Sequence, residues 1–327
     1  MKILFWAGFV GLICNFHCQA STTTSTSATY TLTESMIGTD FFNHFNFIAD
    51  DDPTHGYVSY QTERGANSWN LLSVDPVTKA VRIKADATRE QWGRGRPAVR
   101  LSSKNTFNTG LFIIDVNHVP SGNAVWPAFW TFGPNWPNNG EIDIIEGKND
   151  QPNNQSTLHT SSGCTMPTPN PALMTGTFID SLDCNHVDGT KGCTTQGPLQ
   201  SFGPGLNAQG GGVFALLWTT SSISVWFFPR AKIPQNLHSS AIPDPTQWGL
   251  PVSYFQLGEN CPSSKIAEHN VILNTTFCGD WAGTEYSGPN GNGTWACNHF
   301  VGGNPSAFTE AYWDINFIQI YSVNGTR

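Results

Sequence analysis

Pro137-Asn138-Asn139-Gly140-Glu141-Ile142-Asp143-Ile144-Ile145-Glu146-Gly147 places a short apolar run carrying three acids between turn-forming borders. The shortness of the run and its Gly, Pro and Asn flanks predict a strand rather than a helix. A regular strand alternates its side chains, so Glu141, Asp143 and Ile145 share one face while Ile142, Ile144 and Glu146 share the other. That arrangement would turn Glu146 into the core, where an unpaired carboxylate is costly. A one-residue β-bulge between Asp143 and Glu146 removes the conflict by bringing Glu146 to the side of Glu141. Three acids then line one face, and in a cleft their mutual repulsion would raise at least one pKa. A solvated acidic strand face is the alternative that spacing alone leaves open.

Outward from this strand the chain keeps the same β character. Val81-Arg82-Ile83-Lys84-Ala85 and the segments 110–116, 213–219 and 223–228 alternate or are compactly apolar, which reads as strands. Thr220-Ser221-Ser222 predicts a hairpin between the last two, and residues 313–323 predict a final strand. There is no long 3.6-residue periodicity, no fixed repeat and no composition break. The turn-rich segments 149–212 and 229–310 read as long loops pinned by cysteines. The expected architecture is all-β, a single domain over residues 21–327 built as a sandwich of two sheets with elaborate edges. A short flexible Ser/Thr-rich lead-in over residues 21–28 opens it. Charged residues make up only 12% of the chain, about half the usual share. The 32 Gly, 21 Pro, 12 Trp and 21 Phe suit pleated surfaces and turns.

The first 20 residues have the layout of a secretory signal peptide, with Met1-Lys2, an apolar stretch from Ile3 to about Ile13, and Cys18-Gln19-Ala20 at the boundary. Cleavage after Ala20 and a secreted, extracellular product are expected. No later run is long and apolar enough to span a bilayer, and Ser322-Val323-Asn324-Gly325-Thr326-Arg327 lacks the tail of a lipid-anchor signal. Loss of the leader leaves Cys164, Cys184, Cys193, Cys261, Cys278 and Cys297. Three disulfides are expected, with about 15 pairings open. The cysteine spacing is not that of a zinc site, so neither metal nor cofactor is expected. Sequons at Asn154, Asn274, Asn292 and Asn324 are candidate N-glycan sites. A net charge of −8 with no basic cluster argues against nucleic acid or an anionic membrane as partner and suits a neutral polymer.

Paired carboxylates point to glycoside hydrolysis. A retaining enzyme needs an ionised nucleophile and a protonated general acid, with the carboxyls about 5–5.5 Å apart. In that scheme Glu141 attacks the anomeric carbon, Glu146 protonates the leaving oxygen and later activates water, and Asp143 orients Glu141 and shares its proton. Trp126-Pro127-Ala128-Phe129-Trp130, read as a strand, sets Trp126, Ala128 and Trp130 on one face as a platform for a pyranose ring. Trp136 follows just before the acids. Core packing is the alternative for each indole.

Trp126-Pro127-Ala128-Phe129-Trp130, followed by Asn135-Trp136 and the acidic run, resembles the active-site pattern of glycoside hydrolase family 16, and more narrowly of its fungal laminarinase-like endo-β-1,3(4)-glucanases. Similar segments extend over almost the whole chain after residue 20, among them 52–58, 95–101, 157–160, 225–230, 277–283 and 304–308. The resemblance implies a β-jelly-roll sandwich whose concave face holds the substrate cleft, and retaining double displacement on a β-glucan with no cofactor. It implies Glu141 as nucleophile, Asp143 as its helper and Glu146 as acid/base. Trp130, Trp136 and Trp281 would line sugar subsites, and Arg100 and His159 would make polar substrate contacts. Many relatives carry Glu where Leu217 stands, which implies an altered subsite preference. A monomer is expected. A transglycosylase and a non-catalytic glucan-binding protein are the competing readings. The chain has no phosphate-binding loop, no Gly-x-Ser-x-Gly elbow and no His-Glu-x-x-His helix.

Overall fold

Two packed antiparallel sheets make up the fold, and the computed structural model describes residue 1 and residues 28–187, 191–237 and 242–324. The expected leader and its cleavage point, with Cys14 and Cys18, lie outside the described residues, as does most of the lead-in. The back sheet runs Ser253–Gln256, Ser222–Pro229, Gly212–Trp218, Gly110–His118, Tyr312–Asn324, Val81–Lys84, Leu72–Val74, with Thr29–Met36 also pairing Tyr312–Asn324. The front sheet runs Thr177–Phe178, Cys193–Leu199, Asn153–His159, Glu141–Glu146, Val125–Phe132, Asn270–Phe277, Arg100–Ser103, Phe45–Phe47. The acidic strand therefore lies in the middle of the front sheet. Successive strands pass between sheets, as Gly110–His118 and Val125–Phe132 do, in a jelly-roll sandwich.

The strands read from the sequence are present to within a few residues, and so is the hairpin. There the Thr219 backbone N–H donates to the Ser222 carbonyl at 2.9 Å, and the Thr219 hydroxyl accepts from the N–H groups of Ser221 and Ser222. The two long loops are a correction. Segment 149–212 contains the strands Asn153–His159 and Cys193–Leu199, and segment 229–310 contains Asn270–Phe277 and the helix Gly293–Gly303. Asn-Asn-Gln-Ser-Thr and Cys-Thr-Thr-Gln pair well in a sheet but present polar side chains, so their sequences carry no apolar alternation.

The core lies between the sheets. Phe112, Ile114, Phe214, Leu216 and Trp218 of the back sheet meet Phe129, Ile142, Ile144, Ile145, Leu158 and Leu273 of the front sheet. On the strand Gly212–Trp218 the opposite face, with Val213 and Ala215, joins an outer cluster with Trp226, Phe228 and Trp248, against which Leu217 packs. Leu217 thus sits on the outer side of the back sheet. The disulfides pair Cys164 with Cys261, Cys184 with Cys193 and Cys278 with Cys297. The last ties the helix Gly293–Gly303 to the end of Asn270–Phe277.

Candidate active site

Gly140 begins the acidic strand at φ +77°, and a Cβ there would stand 2.9 Å from the Lys265 carbonyl, so glycine is required at this corner. Beyond it, Glu141 pairs with His159 and Asp143 with Thr157, and the register then shifts so that Glu146 pairs with Gln155. Toward the other neighbour, Asp143 pairs with Trp130, Ile145 with Phe129 and Glu146 with Ala128. This is the bulge the sequence demanded. Ile142, Ile144 and Ile145 all enter the core, while Glu141 and Glu146 are half-buried and Asp143 is 2% exposed.

Each glutamate receives an indole N–H. Trp126 Nε1 donates to Glu146 Oε1 at 2.9 Å, and Trp136 Nε1 donates to Glu141 Oε2. The expected sugar-lining indoles therefore also hold the acids. Trp281 meets Trp126 edge-on at 5.5 Å, and Lys148 Nζ lies 4.1 Å over the Trp281 ring while pairing with Glu285 at 2.5 Å. Trp130 donates to Asn274 Oδ1 at 2.8 Å, and the Asn274 amide donates to the Tyr60 hydroxyl at 3.0 Å. Arg100 is buried with its guanidinium 5.2 Å from the Trp130 ring centre and 4.0 Å from Asp52. His159 Nε2 stands 3.2 Å from Asp143 Oδ2, and its Nδ1 is 3.1 Å from Nδ1 of His186, whose ring lies 4.7 Å from that of Trp136. The fold thus brings together the three acids, Trp126, Trp130, Trp136 and His159, with Trp281 joined through Trp126 and Arg100 through Trp130.

Sequence reading missed His186 and Lys148. His186 arrives because the Cys184–Cys193 disulfide closes its loop against the end of Asn153–His159. Two of the sequons are also corrected. Asn154 and Asn274 are buried and hydrogen-bonded through their amides, whereas Asn292 and Asn324 are exposed. The cavities lined by Met166, Phe178 and Tyr254 and by Asp75, Arg82 and Asp314 share no residue with the acid row.

Burial and like charge push all three acids up. Burial, then the charge of Asp143, raises Glu141 to about 8, with His159 and the Trp136 hydrogen bond opposing. Burial, then Glu146, holds Asp143 well above the usual carboxylate range. Glu146 is raised by burial and drawn back by the Trp126 hydrogen bond, His159 and Lys148. Asp143 Oδ2 makes no hydrogen bond, its 3.2 Å approach to His159 being poorly aligned. Burial and like charge both oppose ionising the three acids together, which suits a row that must offer a carboxylate and a carboxylic acid. Glu141, Asp143 and His159 also offer ligand atoms within 4.8 Å of one another, a donor set able to take a divalent cation.

A family model described as "XgeA-like, catalytic GH16 domain" matches residues 45–321. A probable endo-1,3(4)-beta-glucanase of Aspergillus fumigatus is 42% identical over 304 residues, which are 90% of this chain and 46% of that protein. An endo-1,3(4)-beta-glucanase of Arthroderma benhamiae is 40% identical over 90% of this chain and 65% of its own. The chain spans about half the length of several curated relatives it matches. Among solved structures, an elongating GH family 16 beta-1,3-glucosyltransferase superposes with TM-score 0.84 at 39% identity, covering 90% of this chain and all of that one. Laminarinase 16A from Phanerochaete chrysosporium, with 6-O-glucosyl-laminaritriose in both donor and acceptor sites, superposes with TM-score 0.83 at 39% identity over the same shares.

Proposed function

Because the chain belongs to glycoside hydrolase family 16, we propose that it is a secreted, monomeric, retaining endo-β-1,3(4)-glucanase acting on laminarin-type or mixed-linkage β-glucan. The observation that carries this reading is the bulge, which sets Glu141, Asp143 and Glu146 on one open face with an indole N–H on each glutamate. Glu141 attacks the anomeric carbon; the C–O bond to the leaving chain breaks as Glu146 passes its proton to the leaving oxygen. Glu146, now a carboxylate, takes a proton from water, whose oxygen displaces Glu141 and restores both groups. Asp143, on the same face between them, shares a proton with Glu141 and orients it. Trp126, Trp130, Trp136 and Trp281 supply ring faces for pyranose C–H surfaces, and His159 with Arg100 supplies polar substrate contacts.

The three disulfides suit an oxidising compartment and hence secretion. A transglycosylase is the second reading, favoured by the elongating glucosyltransferase at 39% identity; sugar would then replace water in the second step. Incubation with laminarin, lichenan, cellulose and xylan, following reducing ends and product lengths, tests both. Rapid shortening of laminarin or lichenan is expected. Products longer than the starting oligosaccharide would move the assignment to transglycosylation, and hydrolysis of xylan alone, or affinity without cleavage, would sink it.

A further inference from the structure

The bulge interrupts the main-chain ladder between the acidic strand and Asn153–His159, because Ile144 and Ile145 together oppose Ser156 alone. One side chain replaces the missing peptide. Asn154 Nδ2 donates to the Ile144 carbonyl at 2.9 Å, and Asn154 Oδ1 accepts from the Glu146 N–H at 3.0 Å. These two bonds fix the orientation of the amide, since only the oxygen can face an N–H and only the nitrogen a carbonyl. Ser156 Oγ adds a second donor to the Ile144 carbonyl at 3.1 Å. Asn154 is 4% exposed, and its own N–H donates to Ser201 Oγ at 2.8 Å, so the clamp is itself held.

We propose that Asn154, with Ser156, is a positioning residue that pins the bulge in register and so keeps the Glu146 carboxyl aimed at the leaving-group oxygen. Without the clamp, a one-residue slip is the nearest alternative pairing. It would turn Glu146 toward the core and bring Ile145 out. Asn154 touches no substrate in this role and acts only through the backbone of Glu146. The inference rests on the acid/base role proposed above for Glu146.

The test compares a substrate that needs protonation of its leaving group with one that does not. For Asn154→Ala, kcat on laminarin is expected to fall about 10²-fold with little change in KM, the scale of a misplacement of about 1 Å. On a dinitrophenyl β-laminaribioside, whose phenolate leaves without a proton, the loss should stay under about tenfold. Equal losses on both substrates, or no loss on laminarin, would overturn the proposal. If Asn154→Ala does not fold by circular dichroism, Ser156→Ala takes its place, with the same bias toward laminarin expected and equal losses again decisive. If the wild type cleaves no glucan and no aryl glycoside, the proposed function fails instead. Positioning is then judged by carbon NMR titration of the Glu146 carboxyl, which should change its midpoint in Asn154→Ala and would refute the clamp if it did not.

Discussion

Replacing Trp126 by Phe should move the alkaline limb of the pH–rate profile upward. The substitution keeps an aromatic ring against Trp281 and deletes the N–H that reaches Glu146 Oε1 at 2.9 Å. Glu146 is raised chiefly by burial, and the indole hydrogen bond is the first of the influences drawing it back. A hydrogen bond to a charged group contributes about 1.5–3 kcal/mol, and one pKa unit corresponds to about 1.4 kcal/mol. Water can replace part of the bond at a half-buried carboxyl, so the expected rise is about 1 unit. The sign follows from which form is stabilised. The N–H favours the carboxylate, so its loss favours the acid, and the acid is the form that protonates the leaving oxygen. The variant should therefore stay active about 1 pH unit further into the alkaline range, read as kcat/KM on laminarin against pH. Because the three acids titrate as a coupled row, the limb reports the row as a whole. An alkaline limb that stays in place, or moves down, would refute the assignment of the proton to this end of the row.

Glu141→Gln and Glu146→Gln should each lower turnover on laminarin by about 10³-fold or more while the folded circular-dichroism spectrum persists; near-normal rates in either would refute its role. Glu141 is raised from 4.5 to about 8, so its carboxyl favours the fold below pH 4.5 and loses that contribution as pH rises toward 8. Glu141→Gln should therefore raise Tm at pH 7–9 and leave it nearly unchanged at pH 4, as thermal unfolding across that range would show. Replacing Cys278 and Cys297 together by Ser opens a loop of sequence separation 19 and should cost about 3 kcal/mol in guanidinium unfolding; an unchanged midpoint would mean that the helix Gly293–Gly303 is held by packing alone. Prolonged EDTA treatment should leave reducing-end release unchanged, since two carboxyls and water complete the reaction. A loss restored by a divalent cation would give Glu141, Asp143 and His159 a different role.

Much of the fold was legible in local patterning. Period-two alternation or a compact apolar run marked the strands near residues 81, 110, 213, 223 and 313, and the conflict at Glu146 demanded a bulge that the sheet does contain. The candidate acids and three of the tryptophans were legible because they lie within twenty-one residues of one another, on two adjacent antiparallel strands and the loop between them. The strands Asn153–His159 and Cys193–Leu199 were not, since polar side chains erase the alternation and only pairing with neighbours makes them strands.

What the sequence determined by itself was the all-β character and the demand that three acids reach one face, because side-chain alternation and the cost of a buried charge are local. Partnership across the sheet was decided only by the tertiary structure. It turned Asn154 from a glycan candidate into the clamp of the bulge and set the Trp126 N–H on Glu146. It also brought His186 to His159 through a disulfide and carried Leu217 to the far side of the sandwich. Each of these depends on which strand lies beside which, and hydrogen bonds between chain segments distant in sequence leave no trace in the residues on either side of them.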